Sequence, residues 1–485
     1  MIIHESDNVE VLLEPRPCPA DGGVIPAGHK VSRVTINAGE MVIKYGQPIG
    51  HATCDIAAGE WVHSHNMVTN LSGTLEYQYN PVPSGNCSTA TDSVIGESFM
   101  GYLREDGRVG VRNELWIIPT VGCVSHVAER LAEEFQKRTQ LTVRALKHEY
   151  GCSQLGCDHE NTRKVLAALA LHPNAGGVLV LGLGCENNRL PELRSLIQSD
   201  CDRYSSGQMP RVRFLESQAV DDEFAEGMRL LEELGAQASA CVRTQQPQSK
   251  LCIGLKCGGS DGFSGITANP LLGRLSDLIT QKGASTVLTE VPEMFGAETL
   301  LMNRCVDRPT FDKTVRLIND FKQYYLDHGQ PVGENPSPGN KAGGITTLEE
   351  KSLGCVQKGG TGTVMDVLEY GQRVTVSGLN LLSAPGNDLV ASTALAVSGC
   401  QIVLFTTGRG TPFGTCVPTL KVSTNSALAD RKPHWIDFNA GPVLEGKDLL
   451  PDLLRLVLDT AGGDAALNEK NNYSGIAIWK TGVTL

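Results

Sequence analysis

Residues Leu251–Gln281 read LCIGLKCGGSDGFSGITANPLLGRLSDLITQ. The apolar run Leu251–Leu255 has the length and composition of a strand. It runs into Lys256-Cys257-Gly258-Gly259-Ser260-Asp261, where glycines allow a tight turn and a close approach to the backbone. Apolar residues then recur at helical spacing over Ala268–Gln281, with Pro270 in the first turn, where its missing N–H costs nothing. A strand, a glycine-rich loop and an amphipathic helix make up the repeating unit of a parallel sheet.

The same grammar extends outward. Leu115–Val121 and Val178–Gly182 read as strands, with helices over Ser125–Arg138 and Leu190–Ser199. Thr286–Thr289, Val403–Thr406 and Leu420–Val422 read as further strands. From Gly101 onward the expected class is α/β with a mostly parallel sheet. Before it, Asn8–Leu13, Lys30–Ile36, Met41–Tyr45 and Glu60–Val62 are short alternating segments cut by Gly and Pro, which predicts a small β domain over residues 1–80. Residues 81–98, rich in Pro, Ser, Thr and Gly, read as a linker. The polar stretch Arg243–Lys250 is a candidate second boundary, dividing 99–243 from 244–485.

Composition narrows the function. A chain of 485 residues, 41% of them hydrophobic, is long enough for several cores. Its net charge of -12 argues against nucleic acid as a partner, while leaving room for a locally cationic pocket. No apolar run approaches the ~20 residues of a membrane helix. Met1–Asp7 lacks the basic-then-apolar pattern of a signal peptide, so a cytoplasmic protein is expected, with its 15 cysteines as free thiols. Each thiol taken alone reads as a small buried hydrophobe.

In open parallel sheets, ligands gather beyond the carboxyl ends of the strands. Those positions carry Val121-Gly122-Cys123, Leu183-Gly184-Cys185-Glu186, the Cys257 loop, Thr289-Glu290 and Phe405–Pro412, and another turn ends at Cys152. Nucleotide signatures fail: Gly182-Leu183-Gly184 is not completed as a dinucleotide loop, and Gly441–Lys447 is followed by Asp448 rather than the hydroxyl residue that would hold Mg²⁺. No Cys-x-x-Cys pair occurs, and no spacing suits a cysteine-held iron–sulfur cluster. On a strand, His63 and His65 would share one face, either as metal ligands or as exposed polar residues. The loop Cys257–Gly265, ahead of a helix start, is either a backbone cradle for a carboxylate or a tight turn. Arg409, between two glycines, is a second carboxylate candidate.

Longer segments carry a resemblance. Gly28-His29-Lys30, Lys44-Tyr45-Gly46, His63-Ser64-His65-Asn66, Gly110–Asn113, Gly151–Gln154, Gly182–Asn188, Cys257–Pro270, Thr289–Gly296, Asn335–Gly344, Phe405–Pro412 and Thr481–Leu485 resemble, in order, the altronate dehydratase family. That family lies within a broader group that includes galactarate dehydratase and sulfolactate sulfo-lyase. The resemblance implies an N-terminal β-clip domain of the SAF type, a middle domain used for homodimerisation and a C-terminal Rossmann-like domain. It also implies Fe²⁺ or Mn²⁺, no organic cofactor, and conversion of D-altronate to 2-dehydro-3-deoxy-D-gluconate in galacturonate breakdown. A related acid such as galactarate, or sugar-acid binding without turnover, are the alternatives.

Such a dehydration removes a proton beside a carboxylate, and a divalent metal stabilises the resulting ene-diolate. The candidates are Cys152, Cys185, Glu186, Cys257, Asp261 and Glu290 for metal, and Lys256, Lys341 or Lys351 for the base. Arg409 is expected at the substrate carboxylate, and Ser260, Asn269 and Asn340 at its hydroxyls. His63 and His65 either close over the site or bind metal.

Overall fold

Alternation in the first segments produces short antiparallel strands in a computed structural model that describes residues 1–18, 22–82, 98–204, 209 and 211–485. Besides a two-stranded pair, Arg16–Pro17 with Val24–Ile25, the strands are β1 (Val9–Val11), β2 (Lys30–Ser32), β3 (Met41–Lys44), β4 (Gln47–Ala52), β5 (Trp61–Val62) and β6 (Met67–Val68). The six labelled strands form two three-stranded sheets, β1-β2-β5 and β3-β4-β6. Residues 71–82 form no strand; the Tyr77 and Tyr79 hydroxyls donate to Glu298 (2.5 Å) and the Cys305 carbonyl (2.7 Å), so this stretch straps onto the C-terminal part. Of the expected linker, residues 83–97 lie outside the described residues.

The middle region is a four-stranded parallel sheet in the order β8-β7-β9-β10, made of β7 (Glu114–Pro119), β8 (Val143–Ala145), β9 (Ala175–Gly182) and β10 (Val212–Glu216). Every residue of β7 and β9 is buried, as expected for strands sandwiched between helices. The covering helices are α1 (Ser125–Gln136), α2 (Gly156–Ala170), α3 (Leu190–Tyr204) and α4 (Glu223–Ala240). The polar stretch 243–250 holds a strand of its own, Thr244–Pro247, antiparallel to Ser98–Leu103.

The quoted segment behaves as expected. It forms β11 (Cys252–Cys257) and α5 (Ala268–Gln281). β11 is the central strand of a seven-stranded parallel sheet, β13-β14-β12-β11-β15-β16-β17. The others are β12 (Ser285–Leu288), β13 (Val364–Leu368), β14 (Gly378–Leu382), β15 (Ile402–Thr407), β16 (Thr419–Ser423) and β17 (Phe438–Asn439). The chain builds one side from β12 to β14, then returns to start the other at β15. The reversal opens a crevice at the carboxyl ends of β11 and β15. Leu271, Leu272 and Leu275 of α5 are almost fully buried, and each contributes about 1.5–3 kcal/mol by leaving water.

Between β12 and β13 lie α6 (Glu298–Met302), α7 (Arg308–Asp327), α8 (Pro338–Ala342) and α9 (Leu348–Cys355). The β domain docks on this insertion. Lys30 and Lys44, both buried, each reach a different oxygen of Glu350 on α9 at 2.8 Å. Thr69 and the Asn70 N–H donate to Glu349. The imidazoles of His29 and His63 sit 3.3 and 3.0 Å from the carbonyls of Ala342 and Lys341, so the β domain holds α8 from behind.

Candidate active site

β11 ends on Lys256 and Cys257, and β12 ends just before Glu290. Glu290 adopts a left-handed conformation, φ 69°, unusual for a residue with a side chain. That turn brings its carboxylate back over β11. One oxygen accepts from the Lys256 ammonium; the other accepts from the Cys257 N–H (3.0 Å) and Lys358 (3.2 Å). Lys256 also donates to Asp388 (2.8 Å), at the start of α10 (Asp388–Val397).

Beside this pair, three ligand-type atoms converge. The Cys257 and Cys355 sulfurs are 3.3 Å apart, and each approaches Glu293 Oε2, at 3.3 and 3.0 Å. Among the described residues this is the one group of three Cys, His, Asp or Glu side chains with ligand atoms within 4.8 Å of one another. Cys355 closes α9, and Glu293 sits on the short turn after β12. Cations surround the group: Lys358 donates to Cys257 Sγ (2.8 Å) and Lys351 to Glu293 (2.9 Å).

Burial alone would raise the Glu293 pKa, but Lys351, with Lys256 and Lys358 behind it, pulls it down to about 2. Burial opposes the charge on Lys256, yet Glu290 and Asp388 more than offset it and hold the ammonium above its ordinary pKa. Glu293 does the same for Lys351. Burial and the Glu293 charge push the Glu290 carboxyl up. The hydrogen bond shared with Cys257, then burial, raise the Cys355 thiol.

Above the group lies a cavity of about 700 Å³, lined by Glu293, Asn340, Lys341, Lys351, Gly386 and Asp388 among others. Its size suits a small polar molecule. The donor set fits a divalent transition ion: thiolates and a carboxylate are ligands for iron and its neighbours. Cys257, Cys355 and Glu293 would hold it at the cavity floor.

The expected residues divide. Lys256, Cys257 and Glu290 meet at the floor, Lys341, Lys351 and Asn340 at the wall. Arg409 is exposed and lies at the rim, its Nε 3.7 Å from where a Cβ on Gly339 of α8 would stand. Asn340 completes the capping box of Ser337 at the start of α8 and donates to the Ser260 carbonyl (2.9 Å), which fixes the loop rather than offering the Ser260 hydroxyl. Asn269 is fully buried and bonded to Gly354 and Thr406, away from the cavity lining. Asp261 is not free for metal: its oxygens accept from Ser264, Phe263 N–H, Thr424 and Asn425, and burial raises its pKa. The Cys257–Gly265 loop thus cradles its own carboxylate.

Cys152, Cys185 and Glu186 lie at the edge of the middle sheet, outside this group. Glu186 turns inward to Thr120 and the N–H groups of Leu183 and Gly184. His63 and His65 fall in a turn after β5, not on a strand, and both rest against Trp61, with ring centroids 5.3 and 5.6 Å from it. Sequence reading missed Glu293, Cys355, Lys358 and Asp388. Glu293 belongs to the Thr289–Gly296 segment, and the helix carrying Cys355 has three consecutive charged residues, Glu349, Glu350 and Lys351, yet is wholly buried, a pattern that signals function.

Three family models match the chain: an altronate/galactarate dehydratase SAF domain over residues 22–70, a D-galactarate dehydratase/altronate hydrolase second domain over 101–239, and a D-galactarate/altronate dehydratase C-terminal domain over 248–484. An altronate dehydratase of Bacillus subtilis is 55% identical over 470 residues, covering 95% of this chain and 92% of the relative. One of Escherichia coli is 51% identical, covering 100% and 99%. A galactarate dehydratase (L-threo-forming) of Escherichia coli is 33% identical, covering 95% and 92%. With SAF, middle and C-terminal parts in the same order and at this identity over nearly the full length, the chain belongs to the galactarate/altronate dehydratase family.

Proposed function

We propose that the chain is a hydro-lyase that removes water from D-altronate to give 2-dehydro-3-deoxy-D-gluconate, a step of galacturonate breakdown. The observation that carries this reading is the full-length identity of 51–55% to two altronate dehydratases, against 33% to the galactarate enzyme. The cavity chemistry supports it. Ferrous iron, with Mn²⁺ as the second choice, would supply Lewis-acid stabilisation of the ene-diolate when bound by Cys257, Cys355 and Glu293.

The chain's own residues supply the rest. Lys351 is held protonated by Glu293, which leaves Lys341, of the two lysines lining the cavity, to accept the C2 proton. Lys351 donates its proton to the departing C3 hydroxyl, with Glu293 retaining the charge. Lys256 stays beneath the floor and orients Glu290 and Asp388. Arg409, at the rim, draws in the substrate carboxylate. This revises the expectation that Lys256 or Lys351 is the base, because both are kept charged by buried carboxylates.

The test is keto-acid release from a panel of aldonates and aldarates, using protein stripped by chelator and refilled with Fe²⁺. D-altronate is expected to be turned over fastest, and only after refilling. Faster turnover of galactarate, or equal rates before and after refilling, would overturn the assignment. A cytoplasmic homodimer paired through the middle domain is proposed on the same family relation. No described helix is long and apolar enough to cross a membrane. Light scattering that reads the mass of a single 51.9 kDa chain would remove the dimer.

A further inference from the structure

Three glycine–cysteine pairs occupy matching places in the middle domain. Gly122-Cys123 follows β7, Gly151-Cys152 ends the stretch after β8, and Gly184-Cys185 follows β9. These strands are neighbours in the order β8-β7-β9 and run parallel, so the three thiols leave the sheet at one edge. Their loops are tied together. The Gly122 N–H donates to the Tyr150 carbonyl, Asn188 N–H to the Gly151 carbonyl, and Ser153 N–H to Asn187 Oδ1, each at 2.8 Å. Gly151, at φ +100°, lies so near the Thr120 carbonyl that a Cβ would overlap it.

Free cysteines are among the most buried residues, yet Cys123, Cys152 and Cys185 are all exposed. Packing does not account for them. Cys123 and Cys152 line a cavity of about 930 Å³ between the middle and C-terminal domains, with Asn387 on the far wall. The residues flanking Asn387, Gly386 and Asp388, line the candidate active-site cavity. Beside Cys152, Gln154 Nε2 is buried with no hydrogen-bond partner, while its Oε1 is fixed by the Gly151 N–H (3.1 Å) and Thr162 (2.9 Å).

Three thiols stand at these strand ends; of the other ligand-type side chains nearby, His148 is engaged by the Pro119 carbonyl and the Tyr150 N–H, His126 lies beside Glu129, Glu186 is engaged inward, and Glu149 lines the same cavity. Thiolates alone select soft ions and iron–sulfur centres. A single tetrahedral zinc, with bonds of about 2.3 Å, needs sulfurs roughly 3.8 Å apart. The three sulfurs are not gathered within 4.8 Å, since among the described residues the one such group is Cys257–Glu293–Cys355. A wider triangle suits a centre with several metal atoms. We propose that Cys123, Cys152 and Cys185 hold an iron–sulfur cluster at the carboxyl edge of the middle sheet, with one iron that lacks a protein thiolate open to the cavity. Gln154 Nε2, buried and unpartnered two residues from Cys152, would donate to a cluster sulfur, one of the contacts that tune such centres. Sequence spacing hides the site because three strand ends, not one short motif, bring the ligands together.

The test uses the full chain, reconstituted without oxygen from ferrous iron and sulfide. Acid-labile sulfide is expected with broad visible absorbance, and iron is expected to exceed sulfide by about one ion per chain, the ion held at Cys257, Cys355 and Glu293. Cys123→Ser, Cys152→Ser and Cys185→Ser should each lower bound sulfide at least about tenfold, while Cys241→Ser and Cys257→Ser retain it. On the unaltered protein, reconstitution should slow alkylation of those three thiols at least about tenfold and leave Cys54 and Cys241 unchanged, a readout that does not depend on any variant folding. Iron uptake without sulfide, sulfide retained in all three variants, or alkylation of the three thiols unchanged by reconstitution would each overturn the proposal.

Discussion

Two sheets of this chain end in cysteines and treat them in opposite ways. At the end of β11, Cys257 and Cys355 are 1% and 4% exposed, enclosed by two glutamates and three lysines. At the end of the middle sheet, Cys123, Cys152 and Cys185 are exposed, in loops tied by backbone hydrogen bonds. Burying that many charges is expensive unless each is paired, so the first arrangement is a polar site built before any ligand arrives. The second has no such buried pairing around its thiols; beyond a 3.7 Å contact from Gln218 Nε2 to Cys185 Sγ, they are left for an external partner.

The contrast breaks first at the cavity wall. Lys341→Met should lower kcat roughly 10²–10⁴-fold while leaving the thermal midpoint close to the parent's, because the side chain is half-exposed and outside the buried ion pairs. A loss below tenfold would remove Lys341 as the base. Next comes the floor. Lys256→Met leaves Glu290 with Lys358 as its remaining ion-pair partner and should cost about 3–5 kcal/mol in urea unfolding. A shift under about 1 kcal/mol would mean that the floor is not an interlocked unit.

Acid sharpens the same point. Glu293 and Glu350 fall from 4.5 to about 2 on folding, in each case because lysines outweigh the burial that would raise them. Between those values the unfolded chain binds more protons. The stabilisation, on the order of 3 kcal/mol each, is therefore complete above about pH 4.5 and lost as pH falls towards 2. Unfolding free energies that stay flat from pH 5 to about 3 would contradict this. The smallest effect belongs to the other sheet: Cys185→Ser should change the stability of the metal-free protein by less than about 0.5 kcal/mol.

Local patterns were legible in the sequence; convergence was not. α5 has the expected bounds, and β9, β11, β12, β15 and β16 lie where apolar runs placed them, because buried parallel strands are continuous hydrophobic segments. The Cys257 loop was correctly placed at a strand end. Its partners Glu293, Cys355 and Lys358 come from 36, 98 and 101 residues further on, a relation set by the insertion between β12 and β13 and carried by no local spacing. Asp261 looked like a ligand because it ends a glycine-rich loop; its role in holding that loop to Thr424 and Asn425 depends on β16 lying next to β15. His63 and His65 looked like strand neighbours, but the chain turns at Asn66, whose side chain accepts from the His63 N–H and donates to Trp61.

The most direct measurement is an anomalous-scattering map of crystals loaded with iron and a sugar acid. A metal peak is expected between Cys257 Sγ, Cys355 Sγ and Glu293, with the acid in the cavity against Lys341 and Lys351. No metal between those three side chains, with the acid seated away from Lys341, would contradict it.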